Sequence, residues 1–92
     1  MNDVALITGG TRGIGLGIAE ALAEEGYDLA LCGRRDETAV SEVLDELRDR
    51  GTEVFYVSSD ISDELDREGL VENVRAHYGR LHVLVNNAGG LF

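Results

Sequence analysis

Residues 6–17 read LITGGTRGIGLG, and the reading of this stretch decides the fold. Four glycines, at 9, 10, 13 and 15, fall within seven residues, directly after a short apolar run, Val4–Thr8. Glycine costs backbone entropy on folding, so such a cluster marks a place where the chain must turn tightly or lie bare. Beyond it the spacing becomes helical: Ile14, Ile18 and Leu22 line up at steps of four between Gly13 and Glu25. The stretch predicts a strand, a glycine-rich turn and a helix, with Ile14, Ile18 and Leu22 on the helix's apolar line.

The same alternation continues to the end of the chain. Apolar runs recur at 28–32, 52–58 and 82–86, rich in Val and Leu and short enough to be strands buried on both faces. Between them, Val40, Val43, Leu44 and Leu47 lie on one helical face within 37–50, and Leu70, Val71, Val74 and Tyr78 on another within 63–78. Gly26, Gly51 and Gly79 each stand just past a helical segment, where a glycine ends a helix in the left-handed conformation. The pattern is β-α-β-α-β-α-β. Strands that alternate with helices pair in parallel through right-handed crossovers. The fold class is α/β, a partial Rossmann-type doubly wound parallel sheet with strand order 3-2-1-4.

Composition limits the function. Ninety-two residues make one small domain, which buries roughly 60–65% of its unfolded surface. Apolar residues at 43% and charged ones at 28% suit a soluble globular protein. No apolar run is long enough to span a bilayer, and the start MNDVALIT has neither the basic nor the long apolar region of a signal peptide. A single cysteine, Cys32, fits a reducing compartment, so the expected location is cytoplasmic. The net charge is −10, and all eight basic residues are arginine. A general nucleic-acid surface and a membrane partner are not expected.

A glycine-rich turn between a strand and a helix has a chemistry of its own. The first N–H groups of a helix are unpaired and the helix dipole is positive there, so together they bind phosphate. The spacing is Gly9-x-x-x-Gly13-x-Gly15, not the G-x-G-x-x-G of the common dinucleotide fingerprint. A phosphate loop of the G-x-x-x-x-G-K-[ST] type is excluded, because Ile14 and Gly15 stand where its Lys and Ser/Thr would be. A tight turn without a ligand remains the alternative.

TGGTRGIG, Thr8 to Gly15, resembles the T-G-x-x-x-G-I-G motif of the short-chain dehydrogenase/reductase family. NNAG, Asn86 to Gly89, resembles that family's second motif at the end of its fourth strand, and Asp60-Ile61 resembles its adenine-contacting position. The three stand in order, each at the end of a predicted strand, and the resemblance covers essentially the whole chain. Within the family it is nearest to the bacterial 3-oxoacyl-acyl-carrier-protein reductase-like members. It implies a nicotinamide dinucleotide as partner. Gly9, Thr11, Arg12, Gly13, Ile14 and Gly15 would wrap its pyrophosphate and adenosine ribose, and Asp60 and the Ile61 N–H would read the adenine. Asn87, Ala88 and Gly89 would lie along the cofactor's ribose, with Asn86 bracing the strand. Read without the resemblance, Asn86–Gly89 is turn chemistry and Asp60 an acid near a helix start.

The end of the second strand distinguishes the two nicotinamide cofactors. NAD-binding folds place an acid there on the ribose 2′-hydroxyl, and NADP-binding ones accommodate the 2′-phosphate with arginine. Here Gly33 stands at the acid's place, Arg34 follows it, and Arg12 lies within the glycine loop. Guanidinium matches phosphate in bidentate fashion, so the expected cofactor is NADP, with NAD the alternative. Asp36 could take the acid's role, and Arg34 and Arg35 could be solvated loop charges.

No catalytic or metal-binding residue is assigned. Cys32 reads as a small buried hydrophobe, His77 as a cation near a helix C-terminus, and His82 opens the fourth strand. The family's base is a tyrosine followed four residues later by lysine. After Tyr27, Tyr56 and Tyr78 that position holds Leu31, Asp60 and His82, and the chain has no lysine. The family's Ser, Tyr and Lys follow the N-N-A-G motif, so residues 1–92 are expected to be the N-terminal cofactor-binding half of a longer oxidoreductase. A non-catalytic nucleotide-binding or sheet-completing module is the alternative. The run HVLVN, 82–86, lacks the charge or proline that usually protects an edge strand. Self-association there, or pairing with a C-terminal half, is therefore expected.

Overall fold

The computed structural model describes residues 2–87. In chain order the elements are β1 (Val4–Thr8), α1 (Gly13–Glu24), β2 (Asp28–Gly33), a 3₁₀ turn (Glu37–Val40), α2 (Ser41–Arg48), β3 (Val54–Ser58), α3 (Glu64–Tyr78) and β4 (Val83–Val85). The strands form one parallel sheet in the order β3-β2-β1-β4, as the alternating pattern predicts. Leu6 sits beside Ala30 on one side and Leu84 on the other, and Leu31 beside Tyr56.

Successive residues of a strand point to opposite faces, and two cores result. On one face Ala5, Ile7, Leu29, Leu31, Val54 and Tyr56 pack under Ala19 and Ala23 of α1 and Leu44 and Leu47 of α2. On the other, Val4, Leu6, Ala30 and Cys32 pack under Leu70, Val74 and Tyr78 of α3. Helices on both faces explain why β1 is buried along its whole length. Among the described residues no helix is long and apolar enough to cross a membrane.

The face of α1 differs from the expected one. Ile14 is 78% exposed, and the buried positions are Gly15, Ala19 and Ala23, flanked by the partly buried Leu16, Ile18 and Leu22. Four residues turn an α-helix by more than a full revolution, so a line at steps of four drifts around the axis. Ile18 and Leu22 pack against the core as expected and Ile14 does not; the small residues Gly15, Ala19 and Ala23 lie nearest the sheet and let α1 approach it closely.

The segment 37–50 also departs from a single helix. Its first turn is 3₁₀, and regular α-helix begins at Ser41. The break falls at Val40, whose backbone (φ −115, ψ 10) leaves the helical region, while Ser41 Oγ donates to Thr38 O (3.2 Å) and Arg35 Nη2 to Ala39 O (3.2 Å). β3 begins at Val54, not Thr52, because Thr52 Oγ1 donates to Tyr27 O and the Glu53 N–H to Asp28 Oδ1 (3.1 Å). β4 begins at Val83, because His82 Nδ1 accepts from the Val4 N–H (3.0 Å) in place of a strand carbonyl. Gly26, Gly51 and Gly79 all have positive φ. At Gly79 the left-handed residue ends α3, its N–H donating to Arg75 O (2.7 Å).

Candidate functional site

The strand order reverses between β1 and β4, and open α/β sheets bind ligands outside the strand carboxyl ends at such a point. Here a cleft of about 560 Å³ opens at that end of the sheet. It is built from three loops, which follow β1, β2 and β3, and is closed on one side by Asn86 after β4.

The first loop is held from both sides. Gly9 donates its N–H to Cys32 O (2.9 Å), and Asn87 Nδ2 donates to Gly9 O (3.3 Å). Thr8 joins β1 to β4: its Oγ1 accepts from the Asn87 N–H (2.9 Å) and lies within hydrogen-bond reach of Val85 O and Asn86 Oδ1. Gly13 then enters α1 at φ 58, a left-handed value that other residues rarely adopt. A Cβ at Gly15 would lie 2.1 Å from Gly9 O and 2.6 Å from Asn87 Nδ2, so only glycine lets the helix start against the loop. Arg12 is the N-cap of α1 in extended conformation, its side chain makes no capping hydrogen bond among the described residues, and no acid stands in the first turn. At α3, by contrast, Asp63 Oδ1 accepts from the N–H groups of Leu65 and Asp66. The N-terminus of α1 therefore keeps its positive end and its donors available for an anion.

The second loop carries the charges. Gly33, Arg34 and Arg35 line the cleft, and β3 side chains hold the loop's carbonyls: Ser58 Oγ reaches Arg34 O (3.5 Å) and Tyr56 Oη donates to Arg35 O (2.6 Å). Arg34 Nη2 lies 3.3 Å from Asp60 Oδ1. The third loop contributes Ser59, Ile61 and Ser62, and α3 adds Arg67, whose Nη1 donates to Ile61 O (2.7 Å). The Ser62 hydroxyl (2.7 Å) and N–H (3.0 Å) both donate to Asp60 Oδ1. These bonds, with the nearby Arg34 guanidinium, hold the Asp60 carboxyl below the usual carboxylate range. Cys32 lies under the cleft, and burial pushes its thiol up, as befits an inert core residue.

Of the residues singled out from sequence, the structure places Gly9, Thr11, Arg12, Gly33, Arg34 and Ile61 in the cleft wall. Gly13, Ile14 and Gly15 start the helix behind it. Asp60 holds Arg34 at the rim, and Asn87 is bonded to Thr8 and Gly9. Ala88 and Gly89 lie outside the described residues. Asp36 is absent from the cleft wall and is the N-cap of the 3₁₀ turn. Among the described residues no cluster of His, Cys, Asp and Glu is arranged to hold a metal.

Sequence reasoning missed Thr8, Arg35, Tyr56 and Arg67. Thr8 lay inside a quoted motif, so a signal was present. Tyr56 and Arg67 reach the cleft from β3 and α3, and nothing local in the sequence marks them. With them, four arginines line the cleft, Arg12, Arg34, Arg35 and Arg67, and no acid does among the described residues. That is half of the eight arginines of a chain whose net charge is −10.

Residues 3–91 match the short chain dehydrogenase family. The chain is 37% identical over 89 residues to the 3-oxoacyl-acyl-carrier-protein reductase of Staphylococcus aureus, covering 97% of this chain and 36% of that protein. The crystal structure of the 3-oxoacyl-acyl-carrier-protein reductase from Brucella melitensis in complex with NAD superposes with a TM-score of 0.89 at 46% identity, covering 97% of this chain and 34% of that one. The L-sorbose reductase of Gluconobacter frateurii, crystallised with NADPH and L-sorbose, gives a TM-score of 0.90 at 38% identity over 97% of this chain and 34% of its own. The chain thus spans about a third of the length of these relatives. The family model covers residues 3–91 and the NAD-bound reductase superposes over 97% of the chain, and the chain belongs to the short-chain dehydrogenase family.

Proposed function

We propose that residues 1–92 form the N-terminal, NADP(H)-binding part of a cytoplasmic oxidoreductase that reduces a carbonyl or oxidises an alcohol, with 3-oxoacyl-acyl-carrier-protein-like substrates as the class. The observation that carries the cofactor choice is the cleft wall: glycine at 33, where a hydroxyl-reading acid would stand, and four arginines around the cleft. The residues fit a dinucleotide. The bare N-terminus of α1 and the close approach of Gly9 to Gly15 provide backbone donors for a pyrophosphate, and 560 Å³ is within the usual range for a small-molecule cleft. When bound, the cofactor would give a hydride to a carbonyl or take one from an alcohol, and this chain's residues would bind and orient it. The relatives are crystallised with NAD in one case and NADPH in another, so relatedness alone leaves both cofactors open.

The test is Arg34→Ala. A charged hydrogen bond contributes about 1.5–3 kcal/mol, so calorimetry should show NADP affinity falling roughly 10- to 100-fold while NAD affinity stays nearly unchanged. Equal loss for both cofactors would show that Arg34 does not read the 2′-phosphate.

A further inference from the structure

We propose that Tyr56 is a positioning residue that sets the cleft's preference for a 2′-phosphate over a 2′-hydroxyl. The inference rests on the NADP reading above and adds to it a residue from a different strand. Gly33 pairs with Ser58 in the sheet, and Tyr56, two residues earlier, points to the same face and leans beneath Gly33. A Cβ at position 33 would lie 3.1 Å from the Tyr56 hydroxyl and 4.0 Å from Thr11 Oγ1. Gly33 is not among the positive-φ glycines, so the backbone accepts a side chain there and the hydroxyl is what crowds it. A carboxylate on that Cβ would be the group that reads a ribose 2′-hydroxyl. The Tyr56 hydroxyl thus crowds the position from which such an acid would project, and position 33 stays glycine.

The same hydroxyl has a second effect. It donates to Arg35 O at 2.6 Å and so fixes the backbone that carries Arg34 and Arg35 on the cleft wall. The ring is 6% exposed and packed in the core below α2, so it has little freedom to swing aside. Burial also raises the phenol's pKa, which keeps the hydroxyl a neutral donor. One atom therefore crowds a side chain at position 33 and fixes the backbone that carries the arginines.

Two measurements on the chain test this. In calorimetric titrations with NADP+ and NAD+, Tyr56→Phe should weaken NADP+ about 5- to 10-fold and change NAD+ less than about twofold, a ratio that a merely structural role would not move. Equal weakening of both overturns the positioning role. The second measurement needs no cofactor. Gly33→Ala should lower the urea midpoint when Tyr56 is present, and leave it unchanged or higher in Tyr56→Phe. A zero coupling between the two substitutions overturns the crowding role, whichever cofactor the wild type prefers. A wild type that favours NAD+ together with a clear coupling would instead overturn the NADP reading and leave Tyr56's crowding of position 33 standing.

Discussion

Gly15 and Gly17 lie two residues apart in α1, and the same substitution should act on them in opposite directions. Alanine is favoured over glycine inside a helix by about 1 kcal/mol. At Gly17 an added Cβ meets nothing within 4 Å beyond its own helix among the described residues, so that gain is kept, and Gly17→Ala should stabilise the chain by about 0.5–1 kcal/mol. At Gly15 the Cβ would lie 2.1 Å from Gly9 O and 2.9 Å from Gly9 C, both backbone atoms. Gly9 is tied to Cys32 O through its N–H and to Asn87 Nδ2 through its carbonyl, so relief requires moving β2's end or β4's end. Overpacking costs about 1–3 kcal/mol, and a contact with anchored backbone is at the upper end. Subtracting the helix gain leaves a net loss of about 2 kcal/mol. With a urea slope of about 1 kcal/mol/M for a small domain, Gly15→Ala should unfold about 2 M earlier and Gly17→Ala somewhat under 1 M later than wild type. Equal midpoints for the two variants would refute the packing of α1 against the glycine loop, and with it the geometry of the cleft's first wall.

Three further outcomes follow from other contacts. Asp63→Ala removes the acceptor for the Leu65 and Asp66 N–H groups and should cost about 1 kcal/mol in denaturation; no change would show that α3 is not capped there. Asp60 has a lowered pKa in the folded chain, so its contribution to stability is present above the ordinary carboxylate range and is lost as pH falls through the lowered value. Carbon-detected NMR titration should place its midpoint below the usual aspartate value, and Ser62→Ala, which removes the leading cause, should move it up; an unmoved midpoint would contradict the bond. β4 stands at the sheet edge, with Leu84 59% exposed on the face that α3 covers elsewhere. Sedimentation at micromolar concentration should show association that Leu84→Lys reduces, and a strictly monomeric, folded wild type would refute it.

The fold was legible because every signal that specifies it is local. Strand runs, helical spacing and the glycines after α1, α2 and α3 each lie within one element, and together they fix the alternation from which strand order follows. The errors came from interactions between elements. Ile14 has the spacing of a core residue, but how close α1 lies to the sheet is set by Gly15 against Gly9, two residues brought together by the turn. The 3₁₀ start of the second helical segment goes with the non-helical backbone of Val40 beside the Arg35 and Ser41 bonds, and the start of β4 with His82 replacing a ladder acceptor. In the cleft, the backbone-binding loop was readable as a motif. Its side-chain wall was not, because Tyr56 and Arg67 arrive from β3 and α3 with no sequence neighbour in the site.

That wall also gathers positive charge in a chain of net charge −10. Away from the cleft, arginines are neutralised by acids: Arg50 lies 3.2 Å from Glu20 and 2.9 Å from Glu24, and Arg48 3.3 Å from Asp45. Within it, Arg35 and Arg67 are held by the neutral carbonyls of Ala39 and Ile61, which fix their direction without cancelling their charge. Ordering a long side chain on binding costs about 0.5–1.5 kcal/mol each, and these two have already met part of that cost. Arg34 is the exception. It pairs with Asp60 at 3.3 Å, but that pair is exposed, with Arg34's side chain 74% accessible, and such pairs contribute only about 0–1 kcal/mol. On the proposed NADP reading, a 2′-phosphate would offer Arg34 a bidentate, more highly charged partner worth more than that, so the ion pair would keep the guanidinium at the rim and still yield it to the ligand. Asp60 is then left to its two Ser62 bonds, which keep its carboxylate satisfied when the arginine turns away.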